Sequence, residues 1–89
     1  MRLAIRSDAV VLKDGKVLSE DGSLIGNWIK EGEDAEEVCR KKAKSQSLDI
    51  TIVKPLHPMI QWGMDNKGEK AVVVSLNYLA ELKGEENGR

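Results

Sequence analysis

The chain has no phenylalanine, one cysteine, one histidine and two prolines in its 89 residues. Each shortage excludes something. Cys39 alone makes neither an internal disulfide nor a multi-cysteine metal site, and a lone thiol fits a reducing setting, so the expected location is cytoplasmic. The aromatic residues are Trp28, Trp62 and Tyr78. That is too few for the stacking face by which sheet-based binders hold nucleic-acid bases. No apolar run approaches the ~18 residues of a membrane span, and Met1-Arg2-Leu3-Ala4-Ile5-Arg6 lacks a signal-peptide hydrophobic stretch. Charge is nearly balanced, with 14 Lys and Arg against 15 Asp and Glu. No overall field therefore draws in nucleic acid or an anionic membrane, and neither is an expected partner.

What is present describes one globular domain, 40% apolar and 33% charged. A chain of this size buries only about 60–65% of the surface its unfolded form exposes, so each missing element matters. Residues 3–12 are rich in β-formers and read as strand. Asp14-Gly15 separates them from Val17-Leu18, and Asp-Gly between apolar runs predicts a tight hairpin, because both central turn residues need φ > 0. Glu20-Asp21-Gly22-Ser23 reads as a second turn. Residues 24–32 read as a glycine-punctuated loop anchored by Leu24, Ile25, Trp28 and Ile29, turning sharply at Gly26 and Gly32.

One helix is expected, from Asp34 to about Ser47. The stretch has no Gly or Pro, and Ala35, Val38, Cys39 and Ala43 make one narrow apolar stripe. Acids crowd its start (Glu33, Asp34, Glu36, Glu37) and bases its end (Arg40, Lys41, Lys42, Lys44), which complements the helix dipole. Glu36 with Arg40 and Glu37 with Lys41 are favourable i,i+4 pairs. Residues 49–53 alternate as a strand. Pro55 and Pro58 break the chain before a short edge strand at Met59–Trp62. Asp65–Gly68 is a turn, and residues 70–82 are the longest strand candidate. The expected fold class is α+β: one helix against a mostly antiparallel or mixed sheet over residues 1–82, with residues 83–89 a frayed tail.

The loop and helix resemble a worn Nudix box. Leu24-Ile25-Gly26-Asn27-Trp28-Ile29-Lys30-Glu31-Gly32-Glu33 stands where Leu-Pro-Gly-Gly-Trp-Val-Glu-Pro-Gly-Glu is common in that family. Gly26, Trp28, Gly32 and Glu33 match, and Asp34–Arg40 continues the pattern. The flanks agree, from the Asp-Gly hairpin before the box to Tyr78–Leu82 in the late strand, so the likeness runs from about Arg2 to Leu82. It implies a Nudix-like mixed sheet with one main helix. Family members continue into a further strand and a second, C-terminal helix, and no counterpart of that helix is expected within these residues. The sheet face it covers is therefore expected to be an open apolar face, buried against a second copy or a partner protein.

The departures from the box bear on activity. Lys41-Lys42 stands at the family's Arg-Glu pair and Ser45-Gln46 at its Glu-Glu pair, and the closing glycine is deleted between Ser47 and Leu48. Family members hold Mg²⁺ or Mn²⁺ with those glutamates against a pyrophosphate. A hard divalent cation needs carboxylate oxygens. Lys42 places a cation there instead, and two unit charges ~5 Å apart at an effective dielectric of 20 repel by about 3 kcal/mol. No cofactor is therefore expected, and the balance is against catalysis.

Each candidate site residue has a plainer reading. Arg40, Lys41, Lys42 and Lys44 could bind phosphate, with Trp62 stacking on a base; equally, the cations complement the helix end, and Trp62 is a large apolar side chain in a protein without Phe. Glu33, Glu36 and Glu37 are candidate metal ligands, or simply first-turn acids. Glu33 and Glu69 are candidate catalytic carboxylates, yet a base without a metal has no activated water to serve. Trp28 reads as structural, His57 as a surface or loop-tethering residue, and Cys39 as a small buried hydrophobe. The leading expectation is a catalytically degenerate Nudix-like domain, either binding a nucleotide or other phosphorylated ligand weakly or acting in assembly. The alternatives are an active Nudix hydrolase cleaving nucleoside diphosphates linked to another moiety, with Mg²⁺ or Mn²⁺, and a small α+β protein-interaction domain unrelated to that family.

Overall fold

A computed structural model describes residues 2–19 and 23–83. Most of the Glu20–Ser23 turn and all but Lys83 of the tail lie outside the described residues. Among the described residues six strands and one helix follow in the order β1 (Leu3–Lys13), β2 (Lys16–Val17), β3 (Ile25–Trp28), α1 (Ala35–Ser45), β4 (Ile50–Pro55), β5 (Met59–Met64) and β6 (Lys70–Leu82). The class is α+β with a mixed sheet, as expected. Among the described residues no helix is long and apolar enough to cross a membrane.

The two long strands form the spine. β1 and β6 run parallel, from Leu3 beside Val72 to Val11 beside Ala80. β2 and β3 pair antiparallel with β1, while β4 and β5 share the far edge of β6. The β1–β2 hairpin turns at Asp14 (φ 54) and Gly15 (φ 77), the two positive φ values that an Asp-Gly turn requires. Pro55 falls at the end of edge strand β4, where its missing N–H costs no central ladder bond. Beyond it, Leu56 donates its N–H to the Asn77 carbonyl, which holds the link to β5 on the sheet.

The segment expected to be a loop contains β3. Ile25 pairs with Ala9, Gly26 with Asp8, Asn27 with Ser7 and Trp28 with Arg6. Gly26 is needed for close approach, not for a turn: a Cβ there would overlap the Ser7 carbonyl and the Asp8 backbone and carboxylate.

Directly paired residues share a sheet face. One face carries Ser7, Ala9, Val11, Ile25, Ile50, Tyr78 and Ala80, and α1 lies on it. Val38, Cys39 and Ala43 of the helix stripe are buried there, with Ala35 packed at its start. The core is built largely from small side chains, so helix and sheet come close enough for Ser7 Oγ to donate to the Ala35 carbonyl. Asp34 is the N-cap, accepting the Glu37 N–H at 3.1 Å. The helix ends at Ser45, two residues before the expected Ser47. Ser47 takes φ 65, Leu48 donates to the Ala43 carbonyl and Ser47 to Lys44 (both 2.9 Å). These two bonds form a Schellman stop with serine in the position glycine usually holds.

An 11-residue helix is about 16 Å long, whereas the 13 residues of β6 extend about 43 Å. α1 therefore covers one end of its sheet face and leaves the other bare. The expected distribution of apolar surface needs correction on this point. The face opposite α1 is polar at its centre, with Arg6, Asp8, Ser75, Asn77 and Gln61, and apolar toward both ends, with Val10, Leu12, Val17 and Leu79 at one and Ala4, Ala71 and Val73 at the other. A second exposed apolar set, Leu3, Ile60, Trp62 and Met64, lies on the helix-bearing face beyond the helix's reach.

Candidate functional site

The box loop closes on itself. Glu33 donates its N–H to the Lys30 carbonyl at 3.0 Å, and its Oε1 accepts the Lys30 N–H at 2.8 Å. Gly32, at φ +85, makes the reversal between them. The Glu33 carboxylate is thereby committed to the turn.

One turn on, the carboxylates of Glu36 and Glu37 both face Arg40, at 3.7 Å and 2.5 Å. Arg40 thus pairs at i,i+3 with Glu37, the acid for which spacing alone suggests Lys41. Such half-exposed pairs contribute roughly 0.2–1 kcal/mol each. Lys41 lies with Gly32, Glu33, Asp34, Glu37 and Val38 around a shallow cleft of about 240 Å³. Among the described residues no cluster of three or more His, Cys, Asp or Glu could hold a metal ion. The donor set left by Lys42, Ser45 and Gln46 does not fit Mg²⁺ or Mn²⁺, which need several oxygen ligands.

The structure does not bring the ligand-binding candidates together. Lys42 and Lys44 stand in the last turn of α1, which leads into Ile50 beside Leu82. Trp62 pairs with Val72. Residues 72 and 82 are ten apart on β6, about 33 Å of extended strand. Trp62 therefore lies at one end of the sheet and the lysines at the other.

Glu69 belongs to a different cluster, at the β5–β6 hairpin. Its N–H donates to Asp65 Oδ1 at 2.9 Å and its carboxylate meets Arg2 Nη1 at 3.2 Å. Asp65 also accepts from the Lys67 N–H and from Arg2 Nε. The Glu69 backbone N–H, with help from Arg2 and the Lys67 N–H, holds the Asp65 carboxyl below the usual carboxylate range despite desolvation. The sequence showed Asp65 only as a turn residue. Its many acceptor contacts mark it as the knot of the hairpin.

The sequence reading also missed the polar centre of the opposite sheet face. Arg6 Nη2 meets Asp8 Oδ1 at 2.9 Å, and the Arg6 guanidinium lies 5.0 Å from the centroid of the Trp28 ring. Arg6 and Asp8, with Met59, Gln61, Val73 and Asn77, line a cleft of about 350 Å³. The signal was available: Arg6, Asp8 and Asn77 interrupt the apolar runs of β1 and β6. This cleft offers hydrogen-bonding groups and a neutralised ion pair and, among the described residues, no nucleophile paired with a base.

Cys39 is buried, and desolvation raises its thiol pKa, partly offset by the nearby Ser7 hydroxyl. Tyr78 is raised likewise by burial, then by Glu36. His57 is exposed in the link between the prolines. No protein-family model matches this chain, and no curated protein matches it either.

Proposed function

We propose that this chain is a catalytically degenerate Nudix-like domain whose role is assembly with another protein chain. The observation that carries the reading is the commitment of the box carboxylates. Glu33 closes its own loop, and Glu36 and Glu37 are turned to Arg40. A metal at the helix would have to displace those contacts and then accept Lys42 as a neighbour, at a cost of several kcal/mol. Assembly is favoured over nucleotide binding because Trp62 and the lysine-rich helix end are a strand's length apart, while exposed apolar side chains gather at both ends of the sheet.

The test is thermal unfolding in a titration of Mg²⁺ and Mn²⁺, with and without ADP-ribose or a nucleoside triphosphate. A ligand that binds only the folded state stabilises it by about 2.7 kcal/mol at a hundredfold excess over Kd. The expected result is no shift with either metal. A metal-dependent shift, together with hydrolysis abolished by Glu33→Gln, would overturn the reading.

A further inference from the structure

We infer that β5 is a self-complementary edge, and that two copies of the chain pair through it antiparallel about a two-fold axis at Trp62. This deepens the assembly reading by naming the partner, and it rests on the strand rather than on the box.

The two halves of the outer edge of β6 differ. The β4 half is guarded: its register shifts between Ile52 and Lys54, and it carries Lys54 and Pro55. Bulges, lysines and prolines are what natural edges use against pairing. The β5 half, Met59-Ile60-Gln61-Trp62-Gly63-Met64, has no charge, no proline and an unbroken register with β6. Its large side chains on the helix-bearing face are the most exposed large apolar groups among the described residues: Ile60 70%, Trp62 66% and Met64 66%, with Leu3 63% nearby.

Hydrogen-bond parity then fixes the partner register. Asp65 donates its N–H to the Glu69 carbonyl at 2.8 Å. Narrow and wide pairs alternate along an antiparallel ladder, so Gly63, Gln61 and Met59 turn their backbone groups toward β6. Ile60, Trp62 and Met64 turn theirs outward. The residues with free backbone groups are the same ones whose side chains form the apolar row. Pairing Trp62 with the partner's Trp62 sets Ile60 against the partner's Met64, and the reverse. Every outward N–H and C=O in the strand is then used, in about six intermolecular bonds. Shifting by two residues wastes part of the row, and on one side meets Pro58, which has no N–H. Shifting by one would put apolar residues against the wrong face. On the opposite face Gln61 lies across from the partner's Gly63, where there is room. Burying the Ile60, Trp62 and Met64 row with its backbone removes on the order of 500 Å² per copy. The total, about 1,000 Å², is the lower bound for a specific interface, so the dimer is a weak one.

Sedimentation equilibrium of the full chain tests this. The weight-average mass should rise from monomer toward dimer as concentration goes from about 10 μM to about 1 mM, the range of a weak association. Trp62→Lys and Met64→Lys, both exposed in the monomer, should remain monomeric with unchanged circular dichroism. In a Cys39→Ala background, Trp62→Cys should oxidise to a linked dimer. Ile60→Cys should not, because its counterpart lies about 13 Å away along the paired strands. A chain that stays monomeric throughout, or equal cross-linking at the two positions, overturns the inference. So does a dimer that survives both lysine variants, and that outcome would leave the assembly reading intact and move the contact to the Leu12, Val17 and Leu79 end. None of these results alters the response to metal, so the two readings fail separately.

Discussion

Arg2 donates its Nε to Asp65 Oδ2 at 2.8 Å, joining the start of β1 to the turn between β5 and β6 across 63 positions of sequence. The same Asp65 carboxylate accepts backbone N–H groups from Lys67 and Glu69, and Arg2 returns its carbonyl to the Val72 N–H. One side chain thus closes a hairpin and fastens a distant strand to it.

Asp65 should accordingly contribute to acid denaturation. Its folded-state pKa is lowered, first by the Glu69 N–H. A depressed carboxylate contributes stability that is fully present above its unfolded pKa and is lost as pH falls through its folded pKa. Urea midpoints from pH 7 downward should therefore drop below about pH 4, and Asp65→Asn should flatten that part of the curve while lowering the midpoint at neutral pH. An unchanged acid limb in Asp65→Asn would show that other carboxylates govern it.

Gly26→Ala should destabilise the fold although alanine is the smallest possible addition. The new methyl would meet the Ser7 carbonyl and the Asp8 backbone, neither of which can move without parting β3 from β1. Overpacking of this kind costs about 1–3 kcal/mol. Chemical denaturation reads it directly, and Gly63→Ala is the control, since its Cβ would meet only a Val73 methyl at 3.3 Å. Equal effects at the two glycines would remove the special role given to Gly26.

These two sites show what the sequence could and could not disclose. The β1–β2 hairpin was legible because Asp14-Gly15 is a local signal, and α1 because its stripe and charge order are local. β3 was not legible. Four residues with a glycine in the second place show no alternation, and what makes them a strand is a partner about twenty positions upstream. Nor did the parallel register of β1 with β6 leave any trace in sequence, and with it went the Arg6, Asp8 and Asn77 cleft. Those residues could be seen to interrupt apolar strands, yet only the register places them side by side. The box carboxylates were a mixed case. Their spacing suggested first-turn acids and ion pairs; the closure of Glu33 on the Lys30 N–H emerged only from the geometry.

The helix stop offers a last test, one that touches the resemblance as well. The Nudix pattern closes its helix with a glycine, and next to the place where this chain lacks it Ser47 occupies a left-handed conformation, φ 65. For a residue with a Cβ this conformation costs roughly 1–2 kcal/mol, whereas glycine takes it readily but loses more backbone entropy on folding. Relief of strain is the larger of the two, because the Ser47 and Leu48 N–H bonds to Lys44 and Ala43 already fix the geometry. Ser47→Gly should therefore stabilise the protein by about 0.5–1 kcal/mol. Ser47→Ala, which keeps the Cβ, should give no such gain. A urea midpoint that falls in Ser47→Gly would mean that the serine side chain contributes more at the helix end than its backbone strain costs.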